Sequence, residues 1–95
     1  MRIDYDSTKF TLNAGVYYSP VFNIAEGDNL ITVECTLNSN GSVSIEQAID
    51  QNWFDVSDSS FTCSPSGFQS YIECQSQLQY RLKSVTQFIN AKILL

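Results

Sequence analysis

The chain has 95 residues, with ten acidic and five basic side chains, no histidine, and a net charge of −5. This length fits one domain with a small core. The scattered basic residues argue against nucleic-acid binding, because they form no patch that could neutralise phosphates. No stretch approaches the ~20 apolar residues of a membrane-spanning helix. The N-terminus, "MRIDYDSTKF", carries Asp4 and Asp6 and has no apolar run, so it does not resemble a signal peptide. We therefore expect a protein made in a reducing cytoplasm, with no membrane and no nucleic-acid partner.

Uncharged polar residues are unusually common in this chain. Charged residues make up 16% of it, whereas Ser, Thr, Asn and Gln together account for 33 of the 95 positions. A surface of this kind can meet another protein without stripping water from many charges, a process that costs free energy. The composition therefore favours a role in protein–protein contacts.

In chain order, the first predicted elements lie in "KFTLNAGVYYSPVFNI", residues 9–24. This segment predicts a strand, a turn at Asn13, Ala14 and Gly15, and then a longer extended segment. Pro20 interrupts that segment, and because proline cannot donate a ladder hydrogen bond it indicates an edge or a bulge.

The next two segments, "NLITVECTL" (29–37) and "SVSIEQAI" (42–49), alternate between apolar and polar residues. Such alternation is typical of half-buried strands. The connecting "NSNG" contains Asn40-Gly41, which suits a type I′ turn, so we predict that the two strands form a hairpin. A helix over 44–53 is the alternative, since Ile45, Ala48 and Ile49 also fit helical spacing, but the β-branched content favours a strand.

Four further strands complete the prediction. They are expected at 53–56, at 68–76, at 79–85 and at 88–95, with Phe61 in a small additional strand. In the closing segment the alternation places Ile89, Ala91, Ile93 and Leu95 on one face. About eight short strands separated by frequent turns predict an all-β, antiparallel β-sandwich, jelly-roll-like, formed by a single domain over residues 1–95.

The residues predict no enzyme and no cofactor. Without histidine the chain cannot form Ser-His or Cys-His nucleophilic pairs. Asp50, Asp55 and Asp58 cluster around Trp53 and are the most suitable place for calcium, but their spacing matches no known calcium-binding loop. We therefore expect solvated turn carboxylates there.

Three cysteines, Cys35, Cys63 and Cys74, occur without CxxC spacing. We expect small buried thiols. A bridge between Cys63 and Cys74 across a hairpin remains open. A zinc site is disfavoured, because zinc needs a fourth ligand and no histidine is present.

Aromatic residues supply the candidate contact sites. Trp53 and Phe54 are adjacent on one predicted strand and so point to opposite faces. We expect Trp53 to be a core anchor, and whichever of the two leaves the core to be an interface anchor. The alternative is a sugar-binding platform built around Trp53 with nearby tyrosines. The candidate interface residues are Tyr17, Tyr18, Phe22, Trp53, Phe54, Ile93 and Leu95.

Three segments carry a resemblance to a known class of proteins. "TLNAGVYYSPVFNI" (11–24), "SIEQAIDQNWFDV" (44–56) and "YRLKSVTQFINAKILL" (80–95) resemble small β-sandwich modules of phage virion proteins. The second also resembles an element of discoidin-like sandwiches. Gln51 departs from the pattern, since a glycine would be expected after Asp50.

The resemblance implies a non-enzymatic virion structural protein. The specific expectation is a capsid decoration or cement subunit, or a tail accessory module, located in the virion. Its partners would be the major capsid protein or other virion proteins, and copies of itself in a homo-oligomer. The alternative is a tail- or fibre-associated carbohydrate-binding or adhesion module.

Overall fold

Two antiparallel sheets make up the part of the chain that the computed structural model describes, residues 2–23, 30–56, 60–63, 68–73 and 79–94. Within these ranges there are eleven strands and one turn of 3₁₀ helix, Ser7–Lys9. The strands are β1 Arg2–Asp6, β2 Thr11–Asn13, β3 Val16–Tyr18, β4 Phe22–Asn23, β5 Leu30–Leu37, β6 Gly41–Ile49, β7 Asn52–Asp55, β8 Phe61–Cys63, β9 Phe68–Glu73, β10 Gln79–Ser84 and β11 Phe88–Leu94.

The strand order defines the two layers. The first sheet has the order β1-β11-β5-β9. The second has the order β2-β3-β10-β6-β7, with β4 also paired to β10 and β8 to β6. The prediction of an all-β, antiparallel, sandwich-like fold is confirmed. The described strands outnumber the predicted eight for three reasons: β1 was not predicted, the extended segment after Gly15 forms two strands, β3 and β4, with Pro20 between them, and the small strand at Phe61 is β8.

The core lies between the sheets and is built by alternation along the long strands. Val33, Cys35 and Leu37 from β5 are fully buried, as are Ile45 from β6 and Leu82 from β10. The predicted inward face of β5 is thus confirmed at these three positions, while the side chain of Ile31 lies outside the described set. Burying an aliphatic side chain of this size contributes about 1.5–3 kcal/mol, so a few long strands supply most of the apolar stabilisation.

The closing strand departs from the predicted face. The register of β11 against β5 shifts between Phe88 and Asn90. Phe88, Ala91 and Ile93 therefore point into the core, whereas Ile89 is 44% exposed. An extra residue in one strand changes the phase of the alternation, so the expectation that Ile89 shares a face with Ala91 and Ile93 is wrong.

The predicted hairpin across residues 38–41 is also wrong. Leu37 at the end of β5 pairs with Phe88, and Gly41 at the start of β6 pairs with Cys63, so the connection crosses from one sheet to the other. Asn40 and Gly41 do not have positive φ. Gly41 is needed for space, because a Cβ there would lie 2.3 Å from the hydroxyl oxygen of Thr86. The helical alternative over 44–53 is excluded by β6 and β7.

A two-residue turn joins β6 to β7. Ile49 pairs with Asn52, and the intervening Asp50 and Gln51 have φ values of 51° and 70°. Two consecutive left-handed residues are the pattern of a type I′ turn, in which the second position is normally glycine. The predicted turn at Ala14 and Gly15 has the same left-handed character. The β6–β7 turn therefore forms although Gln51 occupies the glycine position.

This turn yields a stability prediction. The left-handed conformation costs a non-glycine residue roughly 1–2 kcal/mol. Glycine avoids this cost, but it loses more backbone entropy on folding, which cancels part of the gain. We expect Gln51→Gly to raise the free energy of unfolding in urea by about 0.5–1 kcal/mol. The matched control is Gln87→Gly at an exposed position without positive φ, which should lower stability. Equal effects of the two substitutions would contradict the role of backbone strain.

Candidate functional site

The side of the second sheet that faces away from the core carries a cluster of charged and aromatic side chains. On β10, Leu82 is buried while its neighbours Arg81 and Lys83 are only half-buried and point the other way. Arg81 lies opposite Glu46 of β6, which lies opposite Asp55 of β7, so the three share this side. We call this surface the outer face, defined by the side chains of Tyr18, Glu46, Trp53, Asp55, Arg81 and Lys83.

Arg81 stacks on two aromatic rings. Its guanidinium carbon is 4.0 Å from the centre of the Tyr18 ring and 4.2 Å from the Trp53 ring. The rings reach it from opposite sides, because β3 borders β10 on one side while β6 and β7 follow on the other. Each contact is a cation–π interaction, worth about 0.5–1 kcal/mol at an exposed site and more when desolvated. The guanidinium is therefore held in one orientation.

Glu46 holds the Arg81 side chain in place beneath the two rings. The residue is 8% exposed, and a carboxylate with so little access to water requires partners. Its Oε1 accepts a hydrogen bond from Arg81 Nε at 2.8 Å, and its Oε2 accepts one from Lys83 Nζ at 3.2 Å. Lys83 Nζ also lies 2.5 Å from Asp55 Oδ1. The hydrogen bond that Lys83 donates to Asp55 is the main cause that raises the pKa of Lys83 above its usual value; desolvation opposes it, and the bond donated to Glu46 adds to it.

The outer face still offers hydrogen-bonding groups to a partner. Arg81 uses Nε alone, and its terminal N–H groups have no acceptor among the described residues. Because no buried side-chain polar atom in the described part of the chain lacks a partner, these N–H groups must be reached by solvent. The side chain of Asp55 is 66% exposed. The face therefore presents oriented donors beside an exposed acceptor.

A shallow cavity of about 270 Å³ opens beside the stack. Tyr18 and Lys83 line it together with Ser42, Ser44 and Ser84. The hydroxyl of Ser84 is already committed, donating to the Ser42 carbonyl oxygen at 2.7 Å. Ligand pockets for small molecules usually enclose about 300–1,000 Å³, so this cavity suits a small polar group better than a large ligand.

Two of the predicted interface residues meet on the outer face. Tyr18 and Trp53 are brought together by Arg81, which the sequence reasoning missed. The available signal was that Arg81 and Lys83 alternate with the inward residues of β10. Trp53 is half-buried and Phe54 is 51% exposed, so neither is a core anchor. The reason is that β7 is an edge strand of its sheet, where fewer neighbours cover the side chains.

The other candidate interface residues do not join this cluster. Tyr17 is half-buried and packs against the core. Phe22 and Ile93 are core residues, 3% and 0% exposed, and no partner reaches them while the domain is folded. Leu95 lies outside the described residues.

The predicted carboxylate cluster is not assembled by the fold. Asp50 lies in the turn before β7, and Asp55 lies at the far end of that strand, paired with Lys83. Asp58 is outside the described residues. Within the described ranges no group of three or more Cys, Asp or Glu side chains is placed to hold a metal ion.

The two described cysteines adjoin each other inside the core. Both side chains are buried, and Cys63 Sγ lies 3.3 Å from the carbonyl oxygen of Cys35, to which it donates. Burial, followed by the neighbouring Cys63, raises the pKa of the Cys35 thiol well above its usual range. Cys74 lies outside the described residues, so a Cys63–Cys74 bridge stays a prediction.

Comparisons with protein-family models, with curated proteins and with solved structures give no match for this chain. Among the residues that the structure describes, no helix is long and apolar enough to span a membrane.

The ion pairs of Glu46 yield a second prediction. In Glu46→Gln the neutral amide no longer compensates Arg81 and Lys83, and losing one partner of a partly buried pair is costly. We expect the free energy of unfolding to fall by about 1–3 kcal/mol in chemical denaturation. Glu34→Gln, the same change at an exposed site on β5, should have little effect. Equal losses in the two variants would contradict the role of the network.

The buried thiols yield a third prediction. In a Cys74→Ser background, Cys35 and Cys63 should react with a thiol reagent only as fast as the domain unfolds, because buried thiols do not form thiolates readily. Because the pKa of the Cys35 thiol is raised in the folded state, its contribution to stability is fully present at pH values below the ordinary thiol pKa of about 8.5. This contribution is lost progressively as the pH rises above that value. The decline in unfolding free energy above that pH should be weaker in Cys35→Ala. Rapid labelling under native conditions would contradict the burial.

Proposed function

We propose that this chain is a non-enzymatic structural protein of a virion, most specifically a capsid decoration subunit that acts through protein–protein contacts. The observation that carries the proposal is the stack of Tyr18, Arg81 and Trp53 on the outer face. Tyrosine, arginine and tryptophan are the residue types that dominate binding hot spots. Here all three converge on one side of a sheet, with terminal donors of Arg81 that no other described residue uses.

The electrostatics of the outer face also support protein docking. Arg81 and Lys83 balance Glu46 and Asp55, so the four groups sum to zero although the chain carries −5. A partner that covers this face meets no uncompensated charge, which avoids a large desolvation cost. A typical interface buries about 800 Å² per partner, about a seventh of the 5522 Å² surface.

The virion assignment itself rests on the resemblance of segments 11–24, 44–56 and 80–95 to phage β-sandwich modules. The all-β, sandwich-like fold is the one that this resemblance implies. Mechanistically, each copy would bridge neighbouring capsid subunits, and the added interface area would help the shell to resist internal pressure.

A carbohydrate-binding or adhesion module is the second candidate. The cavity beside Tyr18 favours it, because serine hydroxyls and the Lys83 ammonium group surround an aromatic ring there. These are groups that can hydrogen-bond sugar hydroxyls while a ring packs against a sugar face. The cavity is small, and the ring of Tyr18 is already stacked on Arg81, so protein docking is the better-supported function.

Capsid binding tests the main proposal. Purified protein should co-sediment with capsids of the same virus that lack it, and Trp53→Ala should weaken binding by roughly 30-fold or more, the loss of about 2 kcal/mol expected for a hot spot. Phe54→Ala is the matched control, since Phe54 is an exposed aromatic of the same strand that points away from the outer face. Absence of capsid binding would overturn the proposal.

A glycan array separates the two candidates. Saccharide binding that is lost in both Tyr18→Ala and Trp53→Ala, in protein whose circular dichroism is unchanged, would replace capsid docking with the carbohydrate function. Binding to capsids without binding to glycans would exclude the second candidate.

A further inference from the structure

We propose that the outer face is self-complementary and that a second copy of this chain docks on it, forming a two-fold dimer in which Arg81 of each copy binds Asp55 of the other. This inference rests on the proposed function, from which it takes the expectation of several copies acting together. It makes a second copy the protein that docks on the outer face, so that Trp53→Ala would weaken capsid binding by dissociating a dimer that carries two capsid contacts. The contact itself is argued from the groups that the outer face leaves available.

Donors and acceptors on the face match each other. Arg81 has terminal N–H groups without an acceptor among the described residues. Asp55 contacts Lys83 through Oδ1 and is 66% exposed, which leaves its second oxygen available. Guanidinium and carboxylate groups form strong charge-assisted hydrogen bonds with defined geometry. Within one copy, Arg81 donates to Glu46 and it is Lys83 that contacts Asp55, so the pairing of Arg81 with Asp55 is left for a second copy.

The sheet geometry allows both pairs to form at once. Arg81, Glu46 and Asp55 are directly opposite one another on β10, β6 and β7. Because the backbones of neighbouring strands are about 4.8 Å apart, the Cα atoms of Arg81 and Asp55 lie about 10 Å apart, on either side of Glu46. A two-fold axis parallel to β6 and above Glu46 exchanges these two positions between facing sheets. Each Arg81 then lies opposite the Asp55 of the other copy, as an isologous interface requires.

The charge balance of the outer face and the fixed position of Arg81 favour a second copy as the partner. Because the four charged groups sum to zero, two identical outer faces carry no net charge toward each other, and each Glu46, which the two-fold axis sets against its copy, is balanced by Arg81 and Lys83 of its own chain. Arg81 is already held by Glu46 and by the rings of Tyr18 and Trp53, so docking costs little side-chain entropy. A phosphate or a strongly acidic partner would complement Arg81 alone and would be repelled by the exposed carboxylate of Asp55.

Analytical ultracentrifugation tests the dimer directly, over protein concentrations from roughly 1 μM to 1 mM. The wild-type protein should sediment as a dimer in the upper part of this range, and Asp55→Arg should sediment as a monomer. The matched control is Asp4→Arg on β1. Asp4 has comparable exposure, 59% against 66%, and its own cationic partner, Arg2, so the control makes the same change in net charge away from the outer face and should remain dimeric.

A mixing experiment tests the reciprocal pairing. Asp55→Arg alone and Arg81→Glu alone each place like charges at both contacts of a homodimer. Mixed in equal amounts, the two variants restore two attractive contacts, one between the introduced residues and one between the native pair. We expect a heterodimer from monomeric components. If Arg81→Glu does not fold, as judged by circular dichroism, the comparison of Asp55→Arg with Asp4→Arg decides the question alone.

The outcomes separate this inference from the proposed function. A wild-type protein that stays monomeric throughout the range, or a dimer that survives Asp55→Arg, overturns the two-fold contact. Capsid binding by such a protein would leave the structural role standing. A dimer that dissociates in Asp55→Arg but not in Asp4→Arg supports the contact whether or not capsids are bound.

Discussion

The carboxylate of Glu46 is the group on which the outer face depends. It is nearly buried, and it accepts hydrogen bonds from Arg81 and Lys83 on the neighbouring strand. By holding Arg81 through Nε, it presents the guanidinium to the rings of Tyr18 and Trp53. Such a network is worth more than its separate contacts, because each member restricts the others. Without Glu46, two cations would lie side by side on β10 with only Asp55 to balance them.

The two sides of β10 carry different kinds of side chain. Tyr80 and Leu82 point inward and are completely buried, while Arg81 and Lys83 point outward into the charged cluster. The period-two geometry of a strand thus gives one segment an apolar side that packs in the core and a polar side that carries the charged cluster. A domain of 95 residues has little apolar surface to spare for its core. The outer face therefore relies on ion pairs and stacking instead of a second apolar layer.

Local patterns in the chain predicted most of the strands but not their partners. Alternation over 29–37 and 42–49 correctly indicated β5 and β6. The Asn40-Gly41 signal then suggested direct pairing, but the tertiary structure sends the two strands into different sheets. Turn chemistry acts over four residues, whereas strand pairing is decided by burial of whole faces. The two-residue turn at Asp50 and Gln51 shows the converse, since there the pairing of β6 with β7 imposes left-handed backbone on a residue that disfavours it.

The sequence by itself determined the all-β class, the position of most strands, and the inward face of β5, because these follow from the period of side chains along a single strand. Only the tertiary structure decided which outward residues meet. Glu46 and Arg81 are 35 positions apart, and Tyr18 and Trp53 come from strands on opposite sides of β10. The bulge that turns Ile89 outward depends on its pairing with β5. Contacts of this kind arise from sheet order and register, which no local pattern in the chain encodes.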